Sequence, residues 1–166
     1  MSWRLNDEGE GLPPDGHDAA RAARSAGRGM LWGLVFGPLG VLWALPWTLS
    51  GVAVGLLGLL SGGRVRWRWP TVEFYGGAVH GLLRILPNDP IAMTLGHAIL
   101  GRNAAALDIA RSHELVHVRQ YARWGLLFVP AYALCSAWLW FRGRDAYRDN
   151  PFEREAYGEN DVGFRM

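Results

Sequence analysis

Five consecutive residues, His113-Glu114-Leu115-Val116-His117, carry the most specific chemistry in this chain. On an α-helix, positions four apart stack on one face, one turn from each other. Two imidazole nitrogens can therefore reach one tetrahedral divalent cation, and zinc suits such a pair. Glu114 directly follows the first histidine, so its carboxylate lies beside such a metal, not on it, and within reach of a metal-bound water. Zinc brings the pKa of bound water to about 7. Glu114 can then take a proton from that water and later return it to a leaving amine.

Two histidines leave the set incomplete, because a catalytic zinc uses three protein ligands and one open position. No histidine follows His117, so a third ligand downstream must be acidic: Asp145, Asp149, Glu153, Glu155, Glu159 or Asp161. Glu153 stands out. It opens Glu153-Arg154-Glu155-Ala156-Tyr157, just after the helix-start signal Asn150-Pro151, with a small alanine three residues on. Glu155 is the alternative. Gln120, three residues after His117 and roughly on the same face, can brace a ligand. Tyr121, Tyr147 and Tyr157 can each donate to a developing oxyanion, and the sequence does not choose among them. His97 falls on an expected strand where substrate could touch it, although a lone strand histidine is more often structural. His80 and His17 have no partners nearby in sequence.

The elements that must position these groups follow from periodicity and punctuation. Asn103 is the expected N-cap of a helix over 104–124, with Gly125 as its stop. Residues 64–69 alternate strictly, with Val65, Trp67 and Trp69 on one face and three arginines on the other, the pattern of a half-buried strand. Pro70 ends it, and residues 71–75 resume the alternation. Residues 79–86 fit a short strand or a helix, Pro87-Asn88-Asp89-Pro90 is a turn by composition, and residues 91–100 read as one further strand closed by Gly101. A helix is expected to begin near Phe152.

The 166 residues suffice for one domain, or a small domain and a tail. Only 19% of them are charged, against about 25% in soluble domains, and the deficit is local. No charge occurs between Arg28 and Arg64, nor over 125–141. Residues 1–29 are expected to form a mobile polar tail, residues 30–63 an apolar membrane-associated segment, and residues 64–166 the domain that carries the chemistry. Crossing hydrocarbon takes about 20 apolar residues, so the first run can make a single transmembrane span over about 41–60 or a re-entrant hairpin; a buried hairpin of a soluble protein carries less weight. Cys135 is alone, which excludes an intrachain disulfide and a cysteine-only metal cluster. A net charge of +2 is too mild for a nucleic-acid partner.

A spanning 125–141 segment would leave the histidines and Glu153 on opposite sides of about 30 Å of hydrocarbon. If Glu153 is a ligand, this run must dip and return, lie against the first run, or pack within the domain. Arg21, Arg24 and Arg28 precede the first run while Arg64, Arg66 and Arg68 follow it, a near tie for orientation. The expectation is a bacterial inner-membrane location with the catalytic domain facing the cytoplasm. The second arginine trio fits either anionic lipid headgroups or a solvated strand face.

H-E-x-x-H followed by E-x-x-A on a second helix resembles the gluzincins, zinc metallopeptidases with a His, His, Glu metal set. The short spacing from His117 to Glu153 is similar to the smallest of them, the minigluzincins, and the resemblance covers about residues 65–157. It implies an α+β fold, a minimal zincin-like domain with a small sheet, an active-site helix and a glutamate helix, here following a membrane-inserting apolar segment. It further implies His113, His117 and Glu153 as zinc ligands, Glu114 as the catalytic carboxylate, and hydrolysis of a peptide or protein substrate. A strand ahead of the active-site helix would pair with extended substrate, a place that residues 94–100 occupy here. Membrane-linked relatives carry E-x-x-A-D, whose Asp hydrogen-bonds a ligand histidine; Tyr157 stands at that position. The competing expectation is a non-catalytic membrane scaffold or accessory protein with a structural or inactive zinc site.

Overall fold

The histidine-bearing helix forms between the two caps its sequence supplies. The Asn103 side-chain oxygen accepts from the Ala106 N–H at 2.8 Å, and Gly125 ends the helix at φ +54°. A side chain at 125 would also collide with the Trp43 indole, so glycine is required there twice over. The computed structural model describes residues 39–163. The expected polar tail, His17 and the first part of the uncharged run lie outside them. Residues 39–43 are helical and lead into α1 (Leu45–Leu60), β1 (Arg64–Arg68), β2 (Thr71–Tyr75), α2 (Gly77–Ile85), β3 (Ala92–Leu95), β4 (Ala98–Gly101), α3 (Ala104–Trp124), a 3-10 turn (Gly125–Leu127), α4 (Phe128–Phe141) and α5 (Pro151–Gly163).

The architecture is α+β around one small sheet of order β1-β2-β4-β3. The β1–β2 and β3–β4 pairs are antiparallel and β2–β4 is parallel, with α2 and β3 forming the crossover. The single strand expected over 91–100 is instead a hairpin. Gly96, at φ +63°, reverses the chain, so β4 becomes central and β3 takes the edge. Side chains alternate across each strand. Phe74 and Leu100 face Val79 and Leu83 of α2 and the inner side of α1, whereas Glu73, Thr94 and Ile99 share the face covered by α3.

Helix α1 lies on the sheet through glycines. Gly51 abuts Leu95 and Ala98, Gly55 the Phe74 ring, and Gly58 Val79. A Cβ at position 55 would fall inside the contact radius of that ring, so the close approach depends on its absence. The uncharged segment thus divides its surface, with a glycine edge inside the domain and Leu49, Leu56, Leu57 and Leu60 exposed on the other side.

Strand β1 departs from the half-buried expectation. Its apolar face is the open one: Trp67 is 70% exposed, and Trp69, just beyond it, 80%. The reason is electrostatic. Arg66 reaches the buried Glu73 at 2.5 Å and Asp108 of α3 at 2.8 Å, and Arg68 reaches Asp108 at 2.7 Å. The carboxylates lie on the α3 side of the sheet and draw the arginines inward.

Pro130 does not interrupt the second uncharged run. It falls in the first turn of α4, where a missing N–H leaves no bond unmade. After Phe141 the chain returns along the same helix. The Arg144 N–H donates to the Leu139 carbonyl at 2.9 Å, and Ser136 Oγ to the Ala146 carbonyl at 2.8 Å. Buried Asn150 donates to the Tyr132 carbonyl and Ser136 Oγ and accepts from the Phe152 N–H. Helix α5 therefore starts beside the middle of α4 and packs on α3, with Phe152 in a buried cluster with Tyr121 and Phe128. By length and composition the helical stretch Ala104–Phe141 is long and apolar enough to cross a membrane.

Candidate metal centre

Helix α3 is fixed to the sheet near its midpoint. Arg111 pairs with Glu73 of β2, and three residues on, Thr94 of β3 donates its hydroxyl to Glu114 Oε2 at 2.7 Å. His113, between these anchors, and His117, one turn further on, point the same way.

Helix α5 brings Glu153 to them. The two histidine Nε2 atoms are 3.1 Å apart. His113 Nε2 is 3.2 Å from Glu153 Oε2, and His117 Nε2 is 3.5 Å from Oε1. Donors 2.0–2.1 Å from a tetrahedral zinc are separated from one another by about 3.3 Å, so the observed spacing fits a cation of that size. Glu153 is 3% exposed, and its Oε2 makes no hydrogen bond. A buried carboxylate oxygen without a donor is unfavourable, and a cation held by these three side chains would satisfy it. The donor set and its geometry therefore fit a divalent metal.

Each candidate ligand is braced. His117 Nδ1 lies 2.8 Å from Gln120 Oε1. Glu153 Oε1 accepts from the Tyr132 hydroxyl at 2.9 Å. The His113 ring packs against Tyr157 at a centroid distance of 4.6 Å. Tyr157 thus makes a ring contact with one ligand where the resemblance implied a carboxylate bonded to a histidine; Gln120, from the histidine helix itself, makes the hydrogen bond.

The electrostatics separate the two carboxylates. Burial alone would raise the Glu153 carboxyl, but the adjacent His113 and His117 imidazoles and the Tyr132 hydroxyl outweigh it and hold its pKa at about 2. Glu114 goes the other way: burial raises it, and the histidines and Thr94 only partly offset that. Burial also opposes charge on His117, yet Glu153, Glu114 and Gln120 together raise its pKa. Glu153 is held as an anion suited to ligation, while Glu114 is a carboxylate with enhanced proton affinity.

These groups lie in a cleft of about 700 Å³. Leu86, Pro87, Ile91, Met93, Ile109 and Val129 wall it away from the histidines; among the described residues its acidic groups are Glu114 and Glu153 alone, and no arginine lines it. The edge strand along it is β3, not the 94–100 stretch expected. Tyr147 and Tyr157 both line it, their hydroxyls 3.5 Å apart.

The Glu159 and Asp161 side chains lie outside the described residues, and most of the remaining candidates are engaged elsewhere. Glu155 accepts from Gln120 and Arg123. Asp145 accepts from the N–H groups of Tyr147 and Arg148, and Asp149 pairs with Arg144. His97 does not line the cleft; its backbone N–H donates to Thr48 of α1, and His80 meets the Arg102 carbonyl. Tyr121, by contrast, does line the cleft, its ring packed against Phe128. Two contributors carried no weight in the sequence. Thr94 falls inside an expected strand without a distinguishing neighbour. Tyr132 is one of only two hydroxyls in an otherwise apolar run, and that isolation was the available signal. Compared with known protein families, curated proteins and solved structures, the chain matches none.

Proposed function

We propose that this chain is a membrane-associated zinc metallopeptidase of the gluzincin kind, built on a minimal zincin-like domain. The observation that supports it most is the convergence of His113, His117 and Glu153 within 3.1–3.5 Å around a buried carboxylate oxygen that has no hydrogen-bond donor, beside Glu114 in an apolar cleft. A zinc ion bound there supplies Lewis acidity and lowers the pKa of a bound water. Glu114, fixed by Thr94 and with its proton affinity raised by burial, is placed to accept a proton from water in the cleft and pass it to a departing amine. The uncharged walls favour an extended substrate with apolar side chains.

Membrane association rests on exposed apolar surface in two places: the outer side of α1 and the far end of α4, where Leu134, Trp138, Trp140 and Phe141 are all more than half exposed. Helix α3 itself carries Asp108, Arg111, Arg119 and Arg123, and α5 returns Glu153 to it, so the stretch 104–141 is read as inserting its far end and not as crossing.

Metal analysis of the purified protein should find about one zinc per chain, lost in His113→Ala. Glu114→Gln should keep the zinc and lose cleavage of apolar peptides. Cleavage at the parental rate by Glu114→Gln would overturn the mechanism, and zinc binding without any hydrolysis by the parent would favour the scaffold reading.

A further inference from the structure

We propose that Gln120 is a positioning residue of the metal centre: it fixes the tautomer and orientation of His117 and registers the histidine helix against the glutamate helix. The inference rests on the zinc reading above. Gln120 is fully buried and makes three hydrogen bonds. Its Nε2 donates to the Phe152 carbonyl at 3.0 Å and to Glu155 Oε2 at 2.9 Å. Both partners accept only, so the nitrogen end of the amide must face them. The oxygen end is thereby turned to His117 Nδ1, 2.8 Å away. An amide oxygen cannot donate, so Nδ1 must carry the proton. In the neutral ring Nε2 is then left with a free lone pair, and Nε2 is the atom that meets His113 and Glu153.

The same side chain ties together the two helices that supply ligands. Phe152 and Glu155 flank Glu153 in α5, and Gln120 is three residues from His117 in α3. One amide therefore sets the position of α5 relative to α3 and the ring angle of His117 at once. Bracing partners of this kind typically change metal affinity 10–100-fold when removed.

The full-length protein tests this by two readouts other than activity. In metal-free protein at pH 9, with histidine nitrogens labelled with ¹⁵N, NMR should show His117 as the Nδ1–H tautomer. Gln120→Met, of similar volume, should give a tautomer mixture and a zinc Kd raised 10–100-fold in chelator competition. Gln120→Glu, which retains an acceptor for Nδ1 but loses both donors to α5, should keep the Nδ1–H tautomer and still bind zinc at least about tenfold more weakly than the parent, separating the two roles. An Nε2–H tautomer in the parent would overturn the proposal even if Gln120→Met fails to fold, and so would parental zinc affinity in Gln120→Met. A parent with the Nδ1–H tautomer but no zinc affinity would remove the metallopeptidase reading and leave the positioning of His117 by Gln120 standing.

Discussion

Tyr132 Oη donates to Glu153 Oε1 at 2.9 Å, so the apolar helix α4 orients the carboxylate that completes the candidate metal set. Oε1 is occupied by that hydroxyl while Oε2 is left to face His113. The second uncharged run is therefore part of the site, and the exposed surface at its far end continues from the same helix.

Removing this hydroxyl isolates its contribution. Tyr132→Phe keeps the ring that stacks on Phe152 and deletes one hydrogen bond to a buried carboxylate, a change of about 1.5–3 kcal/mol when the acceptor is charged. Zinc affinity should fall about tenfold or more, with helix content unchanged, as measured by chelator competition and circular dichroism. Unaltered affinity would mean that Glu153 orientation does not depend on α4.

The caps, turns and ligand helix were legible because each is a local decision. Asn103 and Gly125 bound α3, the 87–90 turn forms with Asn88 and Asp89 at positive φ, and Asn150-Pro151 starts α5. What could not be read locally was which partner each face meets. The Trp67 face of β1 is apolar yet open, because Glu73 and Asp108 are placed by β2 and α3. The glycines of the first uncharged run fit a membrane segment or a close helix–sheet contact equally well in sequence, and the residues beneath Gly51, Gly55 and Gly58, above all the Phe74 ring, distinguish them. Gln120 had the right spacing to brace His117, but its bonds to Phe152 and Glu155 depend on a return path set by Asn150.

Position 55 gives a stability test of that packing. Gly55→Ala places a methyl group against the Phe74 ring, and overpacking of this kind costs about 1–3 kcal/mol. The gain in helix propensity, about 1 kcal/mol, opposes it without reversing the sign. Thermal unfolding should shift to lower temperature. A Gly55→Ala variant more stable than the parent would show that α1 is not seated on the sheet.

The metal-free protein should be most stable in mildly acid solution, and the sign follows from two groups. Glu153 is held below its ordinary pKa, so its contribution is complete above about pH 4.5 and is lost as pH falls toward about 2. His117 is raised above 6.5, so its contribution is complete below that pH and is lost as pH rises through the folded-state value. Zinc requires neutral imidazoles, so the stabilisation it adds should grow from pH 6 to pH 8. Calorimetry with zinc and with chelator across this range measures both trends. A zinc-induced shift that shrinks with rising pH would contradict ligation by the two histidines.

The end of α4 supplies the membrane test. Trp138, Trp140 and Phe141 are 60–78% exposed, and the Arg142 guanidinium lies over the Trp138 ring at 4.6 Å, the aromatic and basic pairing suited to a headgroup boundary. Burying one such side chain contributes about 1.5–3 kcal/mol, so three of them even partly inserted would hold the domain to neutral lipid. The combined change Trp138→Ser, Trp140→Ser and Phe141→Ser should lower flotation with phosphatidylcholine vesicles at least tenfold, whereas zinc content stays at the parental level because none of the three lines the cleft. Flotation equal to the parent would place the lipid contact on the outer face of α1 instead, and the matching substitutions Leu56→Ser and Leu60→Ser would then release the protein.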